Sequence, residues 1–93
     1  MVTLLKFYAT LRVSINLKSM EIDIETPVSM REILFLACQK ADVDFTDKLL
    51  ENNRIKKGTL LLIDGKNVIH MQGLDTMVTP GSTVSCFPPS GGG

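Results

Sequence analysis

Residues 20–25 read Met-Glu-Ile-Asp-Ile-Glu, a strict alternation of apolar and acidic side chains. Successive side chains point to opposite faces of a strand, so this segment must lay Met20, Ile22 and Ile24 on a core and leave Glu21, Asp23 and Glu25 in water. A strand wet on one face suits an antiparallel sheet covered on one side only. Pro27 ends it, and Ser29 followed three residues later by Glu32 is a capping-box pattern, which satisfies orphan backbone donors at a helix start. From there Met30, Ile33, Leu34, Ala37 and Ala41 share one helical face, with Arg31, Glu32, Gln39 and Lys40 mostly turned away. Together these signals predict a one-sided sheet whose apolar face is closed by a single amphipathic helix.

The remaining segments fit that plan. Val2 to Ala9 reads as a strand, with Leu5, Phe7 and Ala9 on one face and Leu4, Lys6 and Tyr8 on the other. Turn chemistry at Asn16 and Ser19 would join it to the alternating strand as an antiparallel hairpin. Val43 to Leu50 is compatible with a short second helix begun by Asp44 or Thr46, and Asn52, Asn53 and Gly58 make the following stretch irregular. Leu60–Ile63 and Val68–Met71 flank Asp64-Gly65-Lys66-Asn67, a hairpin signal, because Asp-Gly tolerates the positive φ of a tight primed turn. Gly73 to Thr76 reads as a turn or single helical turn, Pro80-Gly81 as another turn, and Thr83–Phe87 as the last strand, with Val84 and Cys86 inward. Strands grouped on either side of one main helix define an α+β fold, a mixed sheet packed on that helix in the manner of a β-grasp. A chain of 93 residues is long enough for one such core, since folding removes roughly 60–70% of the unfolded surface from water. The expected division is a β-grasp domain over 1–87 and an extended, flexible C-terminal glycine tail over 88–93.

Charge narrows the function classes. Ten basic residues balance ten acidic ones, and the only dense basic patch, Arg54, Lys56 and Lys57, is too short for the stripe that a nucleic-acid binder carries. No apolar stretch approaches the ~20 residues of a membrane span, and Met1 to Tyr8 lacks a basic region ahead of a long apolar run, so a cytoplasmic protein is expected. Cys38 and Cys86 fit no metal spacing and are expected as reduced thiols. A single histidine, His70, makes no metal site and is expected to face solvent from a strand.

The chain ends Phe87-Pro88-Pro89-Ser90-Gly91-Gly92-Gly93, a run with nothing to add to a core. Two prolines hold φ near −65° and favour an extended stalk. Glycines without Cβ then leave bare backbone, which a narrow channel admits while rejecting other residues. The six residues from Pro88 span about 20 Å when extended, at ~3.3–3.6 Å each, enough to carry the Gly93 carboxylate into a partner's buried site.

Leu74-Asp75-Thr76, Pro80-Gly81, Val84, and Phe87-Pro88-Pro89 ahead of Gly92-Gly93 resemble the C-terminal third of the MoaD/ThiS sulfur carriers, with the closest likeness to the small subunit of molybdopterin synthase. The first strand and the capped helix sit where that family places them. The resemblance implies a ubiquitin-like β-grasp and a non-catalytic carrier. It binds no cofactor, and its Gly93 is adenylated by a ubiquitin-activating-type, MoeB/ThiF-like adenylyltransferase using ATP. Conversion to a thiocarboxylate would then donate sulfur in molybdopterin formation, with a MoaE-like large subunit as the second partner. A carboxylate is a poor electrophile until a better leaving group is attached, which is why activation must come first. Acidic residues usual in that family before the last strand are replaced here by Pro80-Gly81-Ser82-Thr83, and the hairpin around Asp64-Gly65-Lys66 looks more like archaeal carriers, some of which resemble protein modifiers. A modifier joined to lysines through Gly93, a thiamine-pathway carrier and an interaction module with an inert tail are the other readings.

Side-chain alternation and the family positions put Tyr8, Met71 and Phe87 on the outer side of the sheet, where large apolar groups have no core to fill. They are the expected docking patch, with Gly91, Gly92, Pro88 and Pro89 as the threading segment. Cys86 and Cys38 are expected to pack as small apolar residues rather than to act as nucleophiles.

Overall fold

The computed structural model describes residues 1–89. Strand β1 (Val2–Phe7) pairs antiparallel with β2 (Ser19–Asp23) and parallel with β9 (Thr83–Phe87) at the other end of the chain. Strand β6 (Leu60–Ile63) pairs antiparallel with β9, and β7 (Lys66–Asn67) with β6, giving a five-stranded mixed sheet in the order β2-β1-β9-β6-β7. Helix α2 (Met30–Ala41) covers one face, as the sequence pattern requires, and the whole is a ubiquitin-like β-grasp. Ser29 Oγ accepts from Glu32 N–H at 3.1 Å, and the Met30 N–H donates to the Thr76 carbonyl at 2.8 Å, so the helix start is tied both to its own cap and to the far side of the domain. That second tie is continued by β3 (Val28–Ser29), which pairs with β8 (Met77–Val78).

Between sheet and helix lies one core. Leu5, Phe7, Leu61, Val84 and Cys86 from the central strands meet Met30, Ile33, Leu34 and Ala37 from α2, all essentially inaccessible. Phe7 and Phe45 contact edge to face, with ring centres 5.6 Å apart. At the outer edge the Lys40 ammonium of α2 donates to the Glu21 carbonyl of β2, occupying an acceptor that an unpaired sheet edge leaves open.

Three expectations are corrected, and the short helix of 43–50 is met in a single turn. The first strand stops at Phe7, and Ala9–Ile15 is a short helix, α1, entered through an Ala9 φ of +54°. It buries only Leu11 and Ile15, one helical turn apart, so Ala9 leaves the sheet face to which alternation assigned it. The 43–50 stretch forms a 3-10 turn, Thr46–Lys48, with Asp44 Oδ1 accepting from the Thr46 N–H and hydroxyl. The irregular region after it contains a hairpin, β4 (Leu50–Glu51) and β5 (Arg54–Ile55), turned by Asn52 and Asn53 at φ +51° and +66°. The 60–71 hairpin makes its expected tight turn, with Asp64 and Gly65 both at positive φ, but its return arm is only β7. Asn67 Oδ1 then accepts from the Ile69 N–H and diverts the chain into a 3-10 turn, Val68–His70.

Candidate functional site

Parallel pairing of the two terminal strands places the tail's root at the centre of the sheet. Register sets Ser85 between Lys6 and Leu62, and Phe87 beside Leu60, all on the face away from α2. One residue beyond β1, the Tyr8 N–H donates to the Cys86 carbonyl at 3.2 Å and extends the ladder. The Tyr8 ring therefore lies flat on Phe87, with centres 4.1 Å apart and planes within 8°. Helix α1 brings Arg12 back over the same point. Its Nε donates to the Phe7 carbonyl at 3.1 Å, and its guanidinium carbon stands 5.5 Å from the Tyr8 ring centre. Guanidinium, phenol and phenyl thus form three layers at the residue that precedes Pro88.

Pro88 and Pro89 are half-buried, and Pro89 runs beside Gly58, close enough that a Cβ on that glycine would sit 3.5 Å from the Pro89 Cβ. Gly58 itself has a φ of +89°. Gly91, Gly92 and Gly93 lie outside the described residues, and so does the carboxylate assigned to the chemistry.

Of the expected docking residues the structure brings Tyr8 and Phe87 together. Met71 is exposed, yet it closes the 3-10 turn Val68–His70 instead of standing in a sheet strand, because Asn67 ends that strand early. Leu60, 42% exposed and opposite Phe87, takes a place on the outer face that the sequence reading did not assign. Its alternation was visible; its pairing with a residue 27 positions away was not.

Cys86 is fully buried on the core face, and desolvation pushes its thiol up to about 12. Burial and the raised pKa both disfavour the thiolate that a thioester or redox role for Cys86 needs, despite its closeness to the tail. Cys38 packs half-buried against the core; burial raises its pKa, and its thiol donates to Asp44 Oδ1 at 3.9 Å. His70 is exposed, in the 3-10 turn rather than a strand. Among the described residues no three His, Cys, Asp or Glu side chains converge as metal ligands, and no helix is long and apolar enough to cross a membrane.

The chain is 30% identical over 90 residues to small archaeal modifier protein 3 of Haloferax volcanii, covering 96% of both chains. The chain belongs to the small archaeal modifier family of ubiquitin-like proteins. Among solved structures, that of the Amycolatopsis orientalis BexX/CysO complex contains a chain matched with a TM-score of 0.82 at 17% identity, over 98% of this chain and 99% of that one. A putative molybdopterin converting factor, subunit 1, from Pyrococcus furiosus matches with a TM-score of 0.72 at 16% identity, over 96% and 98%. At those identities the likeness is one of fold. No protein-family model matches. Membership in the modifier family thus rests on the relative matched over 96% of both chains.

Proposed function

We propose that this chain is a ubiquitin-like modifier that acts through the carboxylate of Gly93. The observation that carries this reading is full-length similarity to a small archaeal modifier protein, in a chain whose central strand runs into Pro88-Pro89 and three terminal glycines. The carboxylate attacks the α-phosphate of ATP on an adenylating partner, pyrophosphate leaves, and the acyl carbon now bears AMP as leaving group. A lysine amine of a target protein then adds to that carbon, AMP departs, and loss of a proton leaves an isopeptide bond. The chain itself supplies the acyl group, the thin backbone of Gly91 and Gly92, and a rigid Pro88-Pro89 stem.

Tyr8, Phe87 and Leu60 form the surface on which the adenylating partner docks, with Met71 beyond the sheet as a peripheral contact. The stacked rings fix the direction in which the stem leaves the sheet, so the partner meets a preformed platform.

A second reading has its own support in the Phe87-Pro88-Pro89 stem with Gly92-Gly93, and in a fold shared with a putative molybdopterin converting factor subunit. Here hydrosulfide attacks the same acyl-adenylate, AMP leaves, and Gly93 ends in a thiocarboxylate for a MoaE-like large subunit. The two outcomes separate by mass spectrometry after incubation with ATP and a MoeB/ThiF-like enzyme. Recovery of the chain on target lysines supports the modifier. A gain of about 16 mass units on the free chain when sulfide is added, one oxygen replaced by sulfur, supports the carrier. Neither product, with an enzyme shown to activate another carrier, overturns both.

A further inference from the structure

Helix α2 also leaves Arg31, Phe35 and Gln39 exposed, outside the core that takes Leu34. Arg31, Leu34, Phe35, Cys38, Gln39 and Asp42 follow one another at helical spacing and line one wall of a cavity of about 480 Å³, whose other wall includes Val43 and Leu50. Phe35 stands at this cavity 54% exposed, which is unusual for a ring of its size with no partner. A knob and a hole therefore occupy the same face.

The positions of this stripe are spaced symmetrically along the helix. About a point between residues 36 and 37, position 31 exchanges with 42, 34 with 39, and 35 with 38. Two copies of α2 packed antiparallel about that point would set each Arg31 opposite the other copy's Asp42, and each Phe35 over the other copy's Cys38, at the cavity. Arg31 sits in the first helical turn and Asp42 at the C-cap, so both ends carry a complementary pair by the same two-fold operation. Arg31 already gives Nη1 to Asn53 Oδ1 at 3.0 Å and lies 4.0 Å from Asp75. Those contacts hold the guanidinium in place and leave further donors on its fork. Asp42 is exposed, and among the described residues it has no ion pair.

We propose that this face of α2 is a self-association surface, and that a second copy of this chain fills it by antiparallel packing, Phe35 into the cavity and Arg31 onto Asp42. One short helix and one loop make a small interface, below about 1,200 Å² in total, so the dimer is weak, with a dissociation constant on the order of 0.1 mM.

Sedimentation velocity of the full chain from about 0.02 to 1 mM tests this, since that range brackets the expected dissociation constant. The mass is expected to climb from 10.2 kDa toward twice that value. Phe35→Asp should weaken the association more than about tenfold. Arg31→Glu and Asp42→Lys should each stay monomeric alone, because each places two like charges in contact, and should associate when mixed, because both pairs are then restored in one dimer. Circular dichroism verifies that each variant is folded. A wild-type mass that stays at 10.2 kDa throughout, an unchanged dimer in Phe35→Asp, or a mixture that stays monomeric would overturn the proposal.

Discussion

The two faces of the five-stranded sheet are built from alternate residues of the same strands, yet they are organised in different ways. The inner face is a continuous set of fully buried side chains, Leu5, Phe7, Leu61, Val84 and Cys86, closed by α2. The outer face is half-exposed and interrupted by Lys6 and Ser85, with its one ordered cluster, Arg12, Tyr8 and Phe87, at the point where the stem leaves. A packed interior stabilises because it is close-packed and dry; a surface cluster that adds little stability is positioned for something else. The expectation is a clean separation: inner-face changes move stability, and outer-face changes move partner chemistry.

The largest effect should come from Phe7→Ala. It removes a fully buried ring together with its edge contact to Phe45, a loss of about 3–5 kcal/mol. Urea unfolding should show a lower midpoint at unchanged slope. A loss below about 1 kcal/mol would show that the inner face is not the cooperative core described here.

Cys86 gives a test of the same face by pH. Its folded thiol holds its proton up to about 12, whereas the unfolded thiol releases it near 9. Above the unfolded value the unfolded state binds fewer protons than the native one, so stability falls as pH rises between about 9 and 12. At pH 10 this amounts to about 1.4 kcal/mol relative to pH 8, and Cys86→Ala should lack that part of the alkaline slope. Equal slopes in the two proteins would mean that water reaches the thiol. Ser29→Ala, which removes the cap on α2, should cost about 1 kcal/mol in the same unfolding assay.

What the chain discloses about these faces depends on whether the signal is local. The β2 alternation, the Ser29 cap, the Asp64-Gly65 turn and the inward Val84 and Cys86 are carried by neighbouring residues, and all are found where the sequence puts them. Helix α1 was missed because its seven residues include β-branched Thr10, Val13 and Ile15 and lack a side-chain cap at Tyr8, so only Leu11 and Ile15 spoke for it. Asn52 and Asn53 read only as irregular, because strands of two residues leave no period to read. On the outer face, Tyr8 and Phe87 follow from alternation, whereas Leu60 joins them only through the β6–β9 register and Met71 is lost through one side-chain bond of Asn67. The symmetric spacing of Arg31, Phe35, Cys38 and Asp42 along α2 was present in the sequence throughout. It acquires meaning only once Phe35 and the cavity are known to share a surface.

The smallest effect on stability is expected at the outer face, and it is the sharpest test of the contrast. The Tyr8–Phe87 stack is half-exposed, so a double-mutant cycle of Tyr8→Ala and Phe87→Ala should return a coupling of about 0.5–1.5 kcal/mol, with each single variant folded. The same variants should lose adenylation by the activating partner well out of proportion to that figure, because the platform sets where the stem points and the partner reads both. Leu60→Ala, opposite Phe87, should behave likewise, and Met71→Ala should do less, since that residue lies off the sheet. If adenylation survived loss of both rings while folding weakened by several kcal/mol, the stack would be an extension of the core, and the division between a face that folds and a face that acts would not hold at the root of the tail.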